Sequence, residues 1–486
     1  MDLTQISAET LDQIKKAATS GVTIGTGLHG VDLSGLVSLI PVNTPFYDKV
    51  SKSTAEQGAQ FAQWEVLLNV NSSQPDPATA FDYAAALANI EQLDVASPFG
   101  KVGSGYTVTQ DAINRAKGYA DAKAIAVFNA LNQYKIGMDK KLLGAQSFAL
   151  ATPGTPTVAA STTGGTIAAS TAVAVKVAAR TLSNYHFGGS TKASAAGSVT
   201  TGSGTATNSV TASVTAVPGA VAYDWYVGTY YVTTTTVNTV VITAVPSSNA
   251  SVPNLPGLYS TAPTEVPTTD SSAKANDFNG LLATLTGDYA NAGSFGQVTN
   301  GSGVSSGAVF QSLDGSPLTV NGGNVSELDA FNEAIYANVE MSVDAYMMSS
   351  QTASAISSAL LTTSAGTQTM FAPNVVAERQ DVVAGGFVSW YINKADGGTP
   401  IRIEIQPHLA PGTIIGRTDS VPFPNSNITN TLEQRDQYPV ADYEYAASRI
   451  AGQAGGGPRF DGETFSTSAL INRAPVAMGV VANIGL

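Results

Sequence analysis

Apolar residues recur most regularly at Ile113, Ala116, Ala120, Ala124, Val127, Leu131, Tyr134, Met138 and Leu142, at spacings of three and four. That period predicts an α-helix over about 109–143, with Thr107 and Gln110 placed as a capping box at its start. Continuous, it would be about 50 Å long, and so long a stripe needs a sheet or another subunit to lie on. Upstream, strand-like stretches at 60–70 and 93–108 flank a polar, Ala-rich tip containing Pro75 and Pro77, the pattern of a projecting hairpin. The first 55 or so residues carry a short helical pattern at 7–18. Gly21, Gly25, Gly27, Gly30, Gly35, Pro41 and Pro45 follow, which reads as an extended arm with little core of its own.

After the helix the pattern changes abruptly. Between about 151 and 263 only Lys176, Arg180, Lys192 and Asp224 are charged, while Thr, Ser, Ala, Val and Gly supply nearly everything else. Residues 171–179 and 209–217 alternate, 237–245 is a β-branched run, and prolines (Pro153, Pro156, Pro253, Pro256, Pro263) stand at both ends. Short strands separated by turn signals over this length suit a β-sandwich inserted at an exposed loop tip of a host domain. If the host is independent of it, deleting 153–263 leaves assembly intact. Helical spacing returns at 276–289, at 326–341 through Leu328, Phe331, Ile335 and Val339, and at 350–361. Strand patterns follow at 386–393, 401–406, 413–416 and 475–484, and helices facing a sheet make the host α+β.

Composition narrows the function classes. Only 12% of the 486 residues are charged, about half the usual quarter. Much of the surface is therefore neutral or covered by other subunits. Apolar runs such as 124–131 fall short of the roughly 18–20 residues of a membrane span, and the start, Met1-Asp2-Leu3-Thr4, does not read as a secretory signal. There is no Cys, which excludes disulfides and thiolate metal sites. The net charge of −13 is concentrated after residue 263, where 21 acidic residues face 9 basic ones. With no basic cluster to offset it, this balance argues against nucleic-acid binding through the phosphate backbone.

Candidate chemistry is sparse. Gly25-Thr26-Gly27-Leu28-His29-Gly30 matches a dinucleotide fingerprint, but Gly35 and Pro41 break the helix that should follow, so it reads as arm. His29, His186 and His408 fall in three separate segments without partners at ligand spacing, which leaves no metal site or catalytic triad to propose. Asp442 with Glu444, and Asp461 with Glu463, alternate as along a strand and read as solvated or interface charges. The sequons at Asn71, Asn249, Asn300, Asn324 and Asn427 matter only in a secreted chain. No catalytic, cofactor-binding or metal residue is therefore nominated.

The order of arm, projecting hairpin, long helix and mixed domain with a returning strand resembles that of the major capsid proteins of tailed bacteriophages, the Hong Kong 97-type fold. The final third is similar in Thr399-Pro400-Ile401-Arg402-Ile403-Glu404-Ile405, in Pro407-His408-Leu409-Ala410-Pro411-Gly412-Thr413-Ile414-Ile415, and in the ending, 474–484. Within the insertion, 217–227 looks like the central strand of immunoglobulin-like or fibronectin-type modules, with Trp225 as core tryptophan. The resemblance implies an N-terminal arm (1–57), an extended loop (58–107), a peripheral domain with its spine helix (108–150) and an inserted immunoglobulin-like sandwich (151–265). A mainly axial domain (266–390) follows, and 391–486 supplies the remainder of the axial domain and the returning peripheral strands.

The resemblance further implies a virion protein, assembled in the host cytoplasm, that forms pentamers and hexamers of an icosahedral shell around double-stranded DNA. Its partners would be itself, a separate scaffolding protein, a portal and, in some shells, a decoration protein, with no membrane and no cofactor. Some shells of this family join a loop lysine to an asparagine of another subunit. Lys101 is the candidate here, with Asn425, Asn427 and Asn430 on the acceptor side. The inserted sandwich would face outward, where Tyr185, Tyr226, Tyr230 or Tyr231 could touch host surfaces or glycans, or else simply fill its core. The rival class is a secreted surface-layer or adhesion protein, weakened by the absence of a signal and by the long helix.

Overall fold

A computed structural model describes residues 42–56, 58–59, 61–69, 91–116, 121–204, 206–274, 276–286, 308–321, 324–362, 387–421, 429–445 and 459–486. Residues 1–41 of the arm with its helical pattern, the fingerprint with His29, the hairpin tip, Asn425 and Asn427 lie outside these residues.

The spine helix (Ala122–Gly144) begins where Asp121 accepts hydrogen bonds from the Lys123 and Ala124 amides at 3.0 and 3.2 Å, satisfying donors that a helix start leaves unpaired. A separate turn of helix (Gln110–Ala116) precedes it. The predicted capping box is displaced: Thr107 ends up in a strand, bonded to Asp461, and Thr109 Oγ1 accepts from the Ala112 amide instead. In the folded chain the Thr107 side chain is taken by its strand neighbour and is not free to cap the helix. Tyr134, Met138 and Leu142 then fall on one buried face of the spine.

That face rests on a four-stranded sheet. Its strands are β1 (Ser51–Thr54), β4 (Gly100–Thr109), β19 (Leu432–Tyr445) and β20 (Arg459–Asn472), in the order β1-β19-β20-β4. β2 (Phe61–Asn69) and β3 (Glu91–Pro98) form a hairpin that, among the described residues, pairs only with itself. The stretch predicted as one strand at 93–108 is thus two, broken at Phe99: β3 belongs to the hairpin and β4 to the sheet.

Seven strands follow: β5 (Thr157–Ser161), β6 (Ala172–Arg180), β7 (Gly197–Thr200), β8 (Ser209–Ser213), β9 (Ala222–Val227), β10 (Tyr230–Thr235) and β11 (Thr239–Ile242). They make sheets of order β10-β9-β6-β7 and β11-β8-β5, closed over a core of Val175, Val177, Val210, Ala212, Tyr223 and a fully buried Trp225. In an immunoglobulin constant-type sandwich the first, second, fourth and fifth strands share the larger sheet. Here the second, third, fifth and sixth do, so the layers are alike and the connectivity is not.

Between β6 and β7 a short helix (Leu182–Phe187) turns back onto the host. Leu182, Tyr185, Val221 and Ala222 belong to the same buried cluster as Met138, Leu142 and Leu143 of the spine. The insertion therefore shares a core with its host. Removing 153–263 would uncover apolar host surface, contrary to the expectation of a freely dispensable module.

The rest is a six-stranded mixed sheet, β12 (Val309–Ser312), β15 (Ala345–Met348), β16 (Trp390–Ile392), β17 (Pro400–Ile405), β18 (Ile414–Arg417) and β21 (Gly479–Ala482), in the order β12-β21-β18-β15-β17-β16. A small ribbon, β13 (Val320–Asn321) and β14 (Asn324–Val325), leads into helix Ser326–Val339. That helix and helix Ser350–Thr362 cover one face, burying Leu328, Phe331, Ile335, Val339 and Ile356. Gly416 and Gly479 pair across β18 and β21, and a Cβ on either would stand 2.7–2.8 Å from the Phe331 ring. Only glycine lets the ring sit this close to the sheet.

Of the other predicted elements, the described part of 276–289 is helical at Leu281–Thr286, and 287–289 lie outside the described residues. The 475–484 stretch is a 3-10 turn (Pro475–Ala477) before β21, which pairs within the six-stranded sheet.

Candidate assembly surfaces

The hairpin is seated by its base. Trp64 is buried there and its Nε1 donates to the Asn472 carbonyl at 2.8 Å, while Ser97 Oγ accepts from the Asn279 amide at 3.2 Å. A two-stranded ribbon is marginal by itself in water, so this seat is what the rest of the hairpin grows from.

The outer half of the β19–β20 hairpin carries a second surface. Tyr438, Val440, Tyr443 and Tyr445 are all more than 40% exposed, too much apolar area for strands that face nothing. Tyr443 stacks on Phe465 at 4.9 Å. The carboxylates read as solvated or interface charges each have a partner: Asp442 the Tyr106 hydroxyl (3.1 Å), Glu444 the spine helix's Lys123 (2.6 Å), Asp461 Arg459 of its own strand (2.9 Å) and Glu463 Lys101 on the neighbouring strand (2.8 Å). The Tyr106 hydroxyl is pushed up to about 12, first by burial and then by Asp442. On the spine helix, Phe128 is also exposed.

A third surface is the β16 edge, where Trp390 and Ile392 project on one face beside the exposed Phe387. Open edges with apolar side chains invite another chain. Nearby, Glu404 gathers Lys49 (2.9 Å), Arg417 (3.2 Å) and Arg402, and Asp419 takes Lys49 (3.2 Å) and Arg417 (3.1 Å). Burial alone would raise the Glu404 carboxyl, but these cations outweigh it and hold it below the usual range.

Lys101 lies in β4 opposite Thr467, with its ammonium 4.2 Å from the Phe465 ring centroid as well as on Glu463. Leu432, close to Asn430, stands opposite Asn472. Five residues along β20 separate the two positions, about 17 Å at 3.4 Å per residue, so they do not meet within one chain.

Of the four tyrosines nominated as outward contacts, Tyr185, Tyr226 and Tyr231 are fully buried and only Tyr230 is exposed. Tyr185 donates to the Pro256 carbonyl, and Tyr226 packs edge-on against Tyr231. His186 and His408, 222 residues apart, come to within 6.3 Å ring to ring. Sequence spacing gave no sign of that. Among the described residues there is no group of three or more His, Asp or Glu that could hold a metal, and no helix is long and apolar enough to cross a membrane.

Capsid chains align with this one along nearly their whole length. A chain of the capsid of a native GTA particle is 8% identical, covering 96% of this chain and 98% of its own, with a TM-score of 0.44. The cyanophage A-1(L) capsid is 10% identical over 95% and 98%, with a TM-score of 0.46. That of Myoviridae phage XM1 is 8% identical over 95% and 99%, with a TM-score of 0.40. No family model and no curated protein matches the sequence.

Proposed function

We propose that the chain is a major capsid protein of a tailed bacteriophage, a Hong Kong 97-type subunit that assembles into the pentamers and hexamers of an icosahedral head around double-stranded DNA. The observation that carries this reading is the hairpin that, among the described residues, pairs with no other strand and is seated at its base through Trp64. Exposed aromatic side chains on β19 and at the β16 edge accompany it. A small subunit gains lattice-scale contact area by lending such elements to several neighbours. The chain has no catalytic role in this reading.

The work is done in the virion, after assembly in the host cytoplasm with a separate scaffolding protein, a portal and, where present, a decoration protein. The inserted sandwich stands on the outer surface, with Tyr230 as its remaining aromatic contact for host surfaces or glycans. Lys101 stays the candidate for a covalent bond to an asparagine of another subunit.

The test is to express the full chain with its scaffolding candidate and image the high-mass fraction by negative-stain electron microscopy. Closed shells or capsomer rings are expected. Flat sheets would transfer the chain to the surface-layer class, and monomers under all conditions would overturn both.

A further inference from the structure

Lysines that are separate in the sequence meet where the insertion joins its host. Phe187 ends the short helix Leu182–Phe187 and is 40% exposed. Around its ring stand the ammonium groups of Lys140, Lys141 and Lys274, 5.8, 5.6 and 5.2 Å from the centroid. Tyr259, also exposed, lies alongside: a Cβ on Gly188 would come within 3.0 Å of its ring. The chain shows no basic cluster along its length because Lys274 reaches the other two only through folding.

Carboxylates answer only part of this charge. Lys141 pairs with Asp277. Asp139, next to Lys140 in the spine, is turned to the Phe46 and Tyr47 amides. Among the described residues neither Lys140 nor Lys274 has a carboxylate at ion-pair distance. Burial lowers both ammonium groups, and Lys141 lowers Lys274 further. Sharing one ring, the two are at most about 11 Å apart. Two uncompensated cations on an exposed aromatic patch fit an anionic surface from outside.

The same chain carries such a surface. On helix Ser326–Val339 and its cap, Ala330, Glu333, Ala337 and Glu340 form one exposed stripe at helical spacing. Two turns separate Glu333 from Glu340, about 10 Å. Among the described residues neither carboxylate has a hydrogen-bond or ion-pair partner. Glu340 is also placed against local preference. Its φ of +53° is a left-handed cap that glycine or asparagine usually fills. Its charge meets the negative end of the helix, with no basic residue in the last turn to offset it. A residue held against two local rules without compensation in its own fold points to a contact outside it.

We propose that the Ala330–Glu340 stripe of one copy docks on the lysine patch of the next, Glu333 and Glu340 taking Lys140 and Lys274 while the Phe187 ring lies on Ala337. Patch and stripe are different surfaces of one chain, so the contact is head-to-tail, the kind that closes into rings or continues as a filament. It rests on the reading of the chain as a self-assembling subunit. A phosphate backbone could meet the same lysines, but the net charge of −13 repels it and supplies the acids that a second copy brings.

The test mixes equal amounts of unlabelled and nitrogen-15-labelled full chain under assembly conditions. A water-soluble carbodiimide then joins touching lysines and carboxylates, and mass spectrometry reads the linked peptides. Mixed light and heavy pairs joining Lys140 or Lys274 to Glu333 or Glu340 are expected, while Lys141 with Asp277 should appear only within one label. Mixed pairs at other positions alone overturn this contact and leave self-assembly standing. The lack of any mixed pair overturns both. Lys140→Glu with Lys274→Glu should lower the high-mass fraction on a sizing column on the order of tenfold or more, because like charges then face each other. Adding Glu333→Lys and Glu340→Lys should restore it, and failure to do so in a chain with wild-type circular dichroism overturns the pairing. Wild-type chain that gives no such pairs yet retards a duplex DNA probe, and loses that with the lysine reversals, would assign the patch to phosphate and overturn the proposal.

Discussion

Gly144→Ala inverts the usual rule for helices and tests whether the insertion and its host share one core. Replacing glycine by alanine inside a helix ordinarily stabilises by about 1 kcal/mol. At Gly144, however, the added methyl would stand 2.7 Å from Leu182 Cγ and 2.8 Å from its Cδ2, and closer still to Cβ. Leu182 is fully buried, and escape from a clash at Cβ requires moving backbone. Overpacking of a filled core costs about 1–3 kcal/mol, and a clash rooted at Cβ belongs at the upper end. The helix gain offsets part of this, leaving a net loss of about 2 kcal/mol. Scanning calorimetry of the full chain should then show a midpoint lowered by about 4–8 °C, taking the unfolding unit as 150–250 residues. Leu182→Ala alone should cost about 2–5 kcal/mol. The double variant should cost less than the two singles together by more than about 1 kcal/mol, because the first change makes room for the second. A Gly144→Ala chain that melts higher than wild type, or strict additivity in the double variant, would refute the shared core.

Other changes have outcomes as definite. Because the Glu404 carboxyl is held low in the folded state, its stabilisation is present above the unfolded value near 4.5 and is lost as pH falls through the folded one. Glu404→Gln should therefore lower the urea midpoint at pH 7, with the gap to wild type closing towards pH 3. Asp224 is fully buried on Arg180 at 2.6 Å and on Thr234. Asp224→Ala should cost about 3–5 kcal/mol by leaving the guanidinium buried and unpaired, a loss a denaturant melt would register. Trp390→Asp should leave the monomer's far-ultraviolet circular dichroism unchanged and abolish high-mass particles on a sizing column. Normal particles from this variant would remove the β16 edge from the assembly surfaces. Boiled particles on a denaturing gel should show bands above the monomer position if Lys101 forms its bond, and those bands should vanish in Lys101→Arg.

What could be read from the chain beforehand follows from which interactions are local. The spine helix and the helix through Leu328, Phe331, Ile335 and Val339 declare themselves because their buried positions repeat every three or four residues. The alternation of Ile401 and Ile403 with Pro400 and Arg402 announces β17 in the same way. The break at Phe99 could not be seen, because β3 and β4 are both strands and differ only in which distant partner each finds. Thr107 was misplaced as a cap for the same reason: Asp461, 354 residues away, claims its side chain. The buried state of Tyr185, Tyr226 and Tyr231, and the meeting of His186 with His408, depend on tertiary packing and leave no periodic trace.

The sheets also fix an order of events on the ribosome. β1 waits for β19 and β4 waits for β20, so the strands flanking the spine have no partners until nearly the whole chain has emerged. All seven strands of the sandwich, by contrast, come from residues 157–242 and, among the described residues, pair only with one another. At about 5–20 residues per second of synthesis, the sandwich has some ten seconds or more to close before β19 appears. It can then hold Leu182, Tyr185, Val221 and Ala222 ready as a partial floor for the spine. The insertion would thus act during synthesis as a resident template, sheltering an apolar helix face until the host's own late strands arrive to cover the remainder.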